Sequence, residues 1–187
     1  MEYNYRTNYA LQSQQIVNQM QKLKEYDEDT FWHSVRTAKL ATQIGKSANL
    51  SINEITTLTT AALLHDIGKI YVPIEVLNKR EKLTKEEFDI IKKHPTLSAE
   101  HLAKNGFDTT IQRIVYEHHE NFDGTGYPNG KHHDQIHKLS SILRVADTFD
   151  AMQSKRVYKD QIPLNIIHQE FQHDNGHCYD PQIVQYL

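Results

Sequence analysis

Apolar residues recur along this chain at helical spacing, and no stretch shows convincing period-two alternation. From about residue 9 to 25 a polar segment carries Leu11, Ile16, Met20 and Leu23, which predicts an amphipathic first helix. A second is expected from about 30 to 48, with Val35, Ala38, Leu40, Ala41 and Ile44 on its apolar side. Ser51-Ile52-Asn53-Glu54 has the form of a helix start. Ile55, Leu58, Ala61, Ala62, Leu63 and Leu64 follow it, up to a stop near Gly68. Being apolar nearly all round toward its end, this helix is expected at the buried centre.

Thr84-Lys85-Glu86-Glu87 reads as a capping box, opening a helix that carries Phe88, Ile90 and Ile91 toward His94. Pro95 suits the first turn of the next helix, which runs through Leu97 and Leu102 to a stop at Asn105-Gly106. Residues 108 to 119 are predicted helical again, with Ile111, Ile114 and Val115 inward. The pattern then breaks from 120 to 134, where Gly124, Gly126, Gly130 and Pro128 fall. A late helix carries Leu139, Ile142, Leu143, Val145, Ala146 and Phe149, and two shorter ones are expected near Pro163 and Pro181. The fold class is therefore all-α, a helical bundle.

Composition narrows the setting. At 187 residues the chain suffices for one domain with a proper core. No apolar run approaches the roughly 18 residues a spanning helix needs, which argues against a membrane protein. The first residues lack the basic-then-apolar pattern of a secretory signal. The single cysteine, Cys178, excludes an internal disulfide and fits a reducing compartment, so a cytoplasmic protein is expected. A formal net charge of −3 argues against a nucleic-acid polymer as partner. It leaves room for a small phosphorylated ligand, because two divalent ions would bring about +4 to the point of contact.

The candidate chemistry lies in short clusters: His33, His65-Asp66, His94, His118-His119 and Asp147. Imidazole and carboxylate together suit Fe, Mn, Zn or Ni better than Ca. They are too many for one tetrahedral zinc with three protein ligands and a water. Two or more ions close together would clamp a phosphoryl group and generate hydroxide at neutral pH. Each cluster falls on or at the end of an expected helix, the way helical bundles build metal sites. Ideal helix geometry turns adjacent residues about 100° apart, so neither His65-Asp66 nor His118-His119 is expected to chelate one ion as a pair. Asp66 suits a bridge between ions, and Asp147 would close the site from the late helix. Asp29, four residues before His33, could hold a third ion with it or simply favour a helix start. Lys69, a turn beyond His65-Asp66, could meet a phosphate oxygen or protonate a leaving oxygen. The other histidines (His101, His132, His133, His137, His168, His173 and His177) are read as ordinary core or surface residues. Glu117 and Glu120 are read as solvated or supporting groups.

The run His65-Asp66-Ile67-Gly68-Lys69, with His118-His119-Glu120 and Asp123-Gly124-Thr125-Gly126-Tyr127-Pro128, resembles the HD-GYP domains of the HD phosphohydrolase superfamily. His94-Pro95, the run from Asp147 to Met152, the run from Ser154 to Tyr158, and Tyr179-Asp180-Pro181 extend the likeness in the same order. The resemblance implies an HD-type bundle over residues 29–187, behind an N-terminal helical extension over 1–28 packed on it. It implies two or three divalent metals, iron or manganese, and hydrolysis of cyclic di-GMP to pGpG and/or GMP by a metal-activated hydroxide. Carried over, the ligands are His33, His65, Asp66, His94, His118, His119 and Asp147, with Asp29 where a glutamate is usual. Asp66 and Lys69 would be catalytic, while Asp150, Arg156, Lys159 and Tyr127 would stand on the substrate side. Ser98 takes a position where glycine is common, and Val157 one where proline is common. A diguanylate cyclase or regulatory domain and a second copy of the chain are the partner classes the resemblance leaves open. Two other readings compete: hydrolysis of another cyclic dinucleotide such as 3′,3′-cGAMP or of a linear nucleotide, and a silent nucleotide-binding or interaction module.

Overall fold

The computed structural model describes residues 2–154 and 162–187, with side chains from residue 11 onward. Among these residues it is helical throughout, and the only strand-like pairings are isolated bridges. Helix α1 spans Glu2–Tyr26, α2 Glu28–Ser47 and α3 Ile52–Leu64; a 3-10 turn over Ile67–Tyr71 follows. Then come α4 (Ile74–Leu77), α5 (Lys85–Ile91), α6 (His94–Lys104) and α7 (Thr109–Glu117). A second 3-10 turn over His133–Gln135 leads into α8 (Lys138–Gln153), α9 (Leu164–His173) and α10 (Pro181–Val184). The short α4 carries no amphipathic signal and was not predicted.

The starts of the helices follow their sequence cues. Ser51 and Glu54 form the expected reciprocal capping box on α3, as do Thr84 and Glu87 on α5. The cap of α2 is Asp27, whose carboxylate accepts from the Thr30 amide at 2.9 Å, so Asp29 is left in the first turn.

Helix α2 packs on α3 and α8, α6 on the first 3-10 turn and α7, and α1 on α2, α3 and that same turn. Small residues on the facing sides (Ala38 and Ala41 of α2, Ala61 and Ala62 of α3) are buried and let these helices approach. Leu58 and Leu64 are fully enclosed, so α3 is the central helix its composition implies. Leu23 and Met20 of α1 join the same core, and His101 of α6 bonds Gln19 of α1 at 2.8 Å. The Tyr26 hydroxyl donates to the Val72 carbonyl. Through these contacts the later half of α1 is part of the core that carries the site.

Candidate metal centre

Two of the candidate ligand pairs lie where a helix ends. Helix α3 ends at Leu64, so His65 is its C-cap and Asp66 lies beyond it at φ −98° and ψ 5°. Helix α7 ends at Glu117, which makes His118 its C-cap. His65 and His118 keep helical dihedrals, and each pair nevertheless brings its ligand atoms to one point, where the 100° spacing was expected to keep them apart. His65 and Asp66 meet with His33, and His118 and His119 meet with His94, each group holding its ligand atoms within 4.8 Å of one another. A third such group joins His65, His118 and Asp147. Asp66 links the groups: Oδ1 lies 3.2 Å from His94 Nε2, and Oδ2 lies 3.4 Å from His65 Nε2. That is the position of a bridging carboxylate.

The histidines are oriented by the backbone. The Nδ1 of His65, His94 and His118 each meets a carbonyl three residues earlier, those of Ala62, Ile91 and Val115. A carbonyl only accepts, so Nδ1 carries a proton in all three, and in the neutral rings of His94 and His118 Nε2 presents a lone pair to the centre. His94 Nε2 and His118 Nε2 then face each other at 3.2 Å, two acceptors with no donor between them. His65 Nε2 and Asp66 Oδ1 are buried without a hydrogen-bond partner. Facing acceptors and partnerless buried polar atoms are costly in a protein interior, and a cation at this point would satisfy them. The residues fit divalent metal.

Charge points the same way. Burial pushes the His94 imidazole down to about 4 and also dominates the lowering of His118 and His119, so all three stay neutral. Burial also disfavours charge on His65, but Asp66 and Asp147 outweigh it and raise that ring to about 10. Burial alone would raise the Asp66 carboxyl, yet His65 and Lys69 hold it well below the carboxylate range. Asp147 is likewise held low against its burial by His33 and His65. The paired carboxylates thus call for positive charge at this point.

His33 bonds Asp147 through Nε2 at 2.9 Å and Asp150 through Nδ1 at 2.7 Å. The second Asp150 oxygen accepts from Arg36 Nε at 2.8 Å. Asp150, read from the resemblance as a substrate-side residue, is buried with both oxygens engaged, by His33 and Arg36. Lys69 Nζ lies 2.6 Å from Asp66 Oδ2 and borders an open cavity. Asp29 borders that cavity too, and it enters none of the ligand groups among the described residues, because His33 turns its nitrogens toward α8. Arg156 and Lys159 lie outside the described residues.

Tyr127 leans on the His119 ring with centroids 4.8 Å apart, and Lys92 Nζ lies 4.8 Å from the Tyr127 ring centroid. The signature loop is held by Glu120, which accepts from the amides of Asn129 and Lys131. Glu117 accepts from Arg113, Lys131, Ser140 and the His137 amide. Both glutamates are buried, so neither is solvated. A Cβ at Gly126 would lie 2.1 Å from the Asn121 amide nitrogen and 2.5 Å from the His119 carbonyl, so only glycine fits there. Gly68 meets α6 as closely, and its amide donates to Ser98 Oγ at 2.8 Å. Arg36 went unread in the sequence, and Glu117, Glu120 and Ser98 were given no particular partner there. Their one signal was position, within a turn of a ligand motif.

Comparison with known proteins bears on this centre. The family model described as an HD domain matches residues 10–183. The chain belongs to the HD domain family. This HD domain is 37% identical over 175 residues to a cyclic di-GMP phosphodiesterase of Thermotoga maritima, covering 91% of the chain and 47% of that protein. It is 31% identical to the 3'3'-cGAMP-specific phosphodiesterase 2 of Vibrio cholerae, covering 92% of the chain and 33% of that protein. The HD domain thus spans less than half the length of these curated relatives. In fold it is similar to Bd1817, an HD-GYP-type protein from Bdellovibrio bacteriovorus, at a TM-score of 0.68 and 24% identity, covering 82% of this chain and 49% of that one. It is also similar to the HD domain of the L. monocytogenes phosphodiesterase PgpH in complex with cyclic-di-AMP, at a TM-score of 0.65 and 20% identity, covering 83% and 80%. The helical HD-type bundle implied by the motifs is the fold observed. Among the described residues no helix is long and apolar enough to cross a membrane.

Proposed function

We propose that this HD domain is a metal-dependent phosphodiesterase that hydrolyses cyclic di-GMP to pGpG and/or GMP. The observation that carries the reading is the pair of unprotonated nitrogens, His94 Nε2 and His118 Nε2, facing each other beside the partnerless Asp66 Oδ1. His94, His118 and His119 would hold one ion, and His33, His65, Asp66 and Asp147 a second, with iron or manganese suited to this donor set. When bound, the ions supply Lewis acidity toward the phosphoryl oxygens and lower the pKa of water.

The chain's own residues supply the remainder. Asp66 spans both groups and keeps their spacing, while Asp150 and Arg36 fix the tautomer and tilt of His33. Lys69, at the boundary between centre and cavity, offers a cation to the charge that grows on the phosphate. It also stands where a proton can pass to the departing 3′ oxygen as the P–O3′ bond breaks. Tyr127 covers the His119 side and limits access of bulk water.

The 3'3'-cGAMP-specific relatives make that nucleotide the second substrate to test. A silent binding module would have no use for the full ligand set and Lys69, which this chain retains. The protein, purified without oxygen and loaded with Fe or Mn, is incubated with cyclic di-GMP and, separately, 3′,3′-cGAMP, and the products are separated by chromatography. The expected outcome is pGpG or GMP, abolished by chelation and by Asp66→Ala at unchanged helical circular dichroism. A loaded protein that releases no linear product from either nucleotide sinks the proposal.

A further inference from the structure

Beside the metal centre a cavity of about 260 Å³ opens between the start of α2 and the segment after α4. Its wall includes Asp29, Trp32 and His33 of α2, Lys69 of the 3-10 turn, and Lys79. Asp29 lies one helical turn before Trp32 and His33, and all three border the cavity. Trp32 is the chain's one tryptophan and is 46% exposed. It is nevertheless held: Nε1 donates to Glu28 Oε1 at 3.2 Å, and the indole meets the Phe31 ring at 78° with centroids 5.0 Å apart.

We infer that this cavity seats one purine base of the nucleotide, stacked on Trp32, and that Asp29 makes the base guanine. The inference rests on the phosphodiesterase reading. The volume falls just below the roughly 300–1,000 Å³ of whole-ligand pockets, which suits one base with the rest of the nucleotide outside it. The Trp32 ring, with Lys24 Nζ 5.9 Å from its centroid, borders the cavity beside the centre, and an aromatic ring so placed is what a base stacks on, worth about 1–3 kcal/mol per base. Lys69 touches both the cavity and Asp66, so a base in the cavity is connected to a phosphate at the centre across a single side chain. Guanine carries two N–H donors on one edge, and an ionised carboxylate only accepts, so Asp29 matches that edge. Adenine presents an acceptor in its place and is disfavoured there. This role also accounts for an acidic residue one turn before His33 that stands outside every ligand group.

Trp32 is its own reporter. Metal-loaded protein is titrated with GMP, AMP and ribose 5-phosphate while tryptophan fluorescence is followed. Saturable quenching is expected from GMP, weaker quenching from AMP, and none from ribose 5-phosphate. In steady-state hydrolysis Trp32→Leu raises KM about tenfold with the loss falling little on kcat, and Trp32→Phe recovers most of it. Asp29→Ala, at unchanged metal content, removes the preference for GMP over AMP. Unchanged fluorescence with GMP, together with a wild-type KM in Trp32→Leu, overturns the inference. Equal affinity for GMP and AMP in the wild type overturns the role of Asp29. Saturable quenching by GMP in a protein that hydrolyses no cyclic dinucleotide would retain the base seat and remove the phosphodiesterase reading instead.

Discussion

Both oxygens of Asp150 are taken, one by His33 and one by Arg36, and the consequence reaches the metal through one imidazole. Burial alone would raise this carboxyl, and His33 and Arg36 more than offset it, so Asp150 remains an anion that keeps the His33 Nδ1 proton in place. Replacing Asp150 by Asn keeps the shape and removes the charge. Loss of such an orienting partner costs about 10–100-fold in metal affinity. A chelator competition on Asp150→Asn should show that weakening while circular dichroism stays that of the wild type. Wild-type affinity would return Asp150 to the substrate side, where the motif likeness put it.

Between elements, the seat of α6 governs the centre, because α6 begins with His94 and its Ser98 receives the Gly68 amide. Further along, His101 lies between α1 and the first 3-10 turn, bonding Gln19 through Nε2 and Tyr71 through Nδ1, each at 2.8 Å. Burial, then Lys22 and Lys104, lower its pKa from an ordinary 6.5. The folded state therefore favours the neutral ring, and the unfolded chain binds the extra proton first. Stability from this residue is complete above pH 6.5 and is lost as pH falls from there toward the folded value. In urea melts of metal-loaded protein, the stability gap between wild type and His101→Gln should narrow from pH 7 to pH 5. A gap that is constant or widens over that range contradicts the assignment.

Across the whole molecule, ligands from α2, α6, α8 and the ends of α3 and α7 converge, so bound metal ties most of the bundle together. An ion that binds only the folded state at about 100 times its Kd adds about 2.7 kcal/mol. For a chain of this size that corresponds to about 5–10 °C in Tm. Removing metal should lower the melting temperature by that order, with restoration on adding Mn, measured by calorimetry. An unchanged Tm in protein shown to have lost its metal would mean that these residues hold no structural cation.

The bundle was legible because helix period, capping boxes and a nearly all-apolar α3 are local facts, each written within a few neighbouring residues. The ligand set was legible because His65-Asp66, His118-His119 and the glycine-rich loop are contiguous and chemically distinctive. What each pair can do was not local. Helical spacing alone would set His65 apart from Asp66, yet in the fold both reach the same point with His33. Glu117 and Glu120 read as either solvated or supporting, and the burial that decides for support came only with the fold. The sequence by itself determined the class of fold and the chemistry of the donors, since both depend on residue type and short-range spacing. Tertiary structure alone decided which candidate donors lie together, that Asp150 meets His33 and Arg36, and that Trp32 and Asp29 wall one cavity beside them. Those outcomes depend on where helices end and how they pack, which no short stretch of the chain contains.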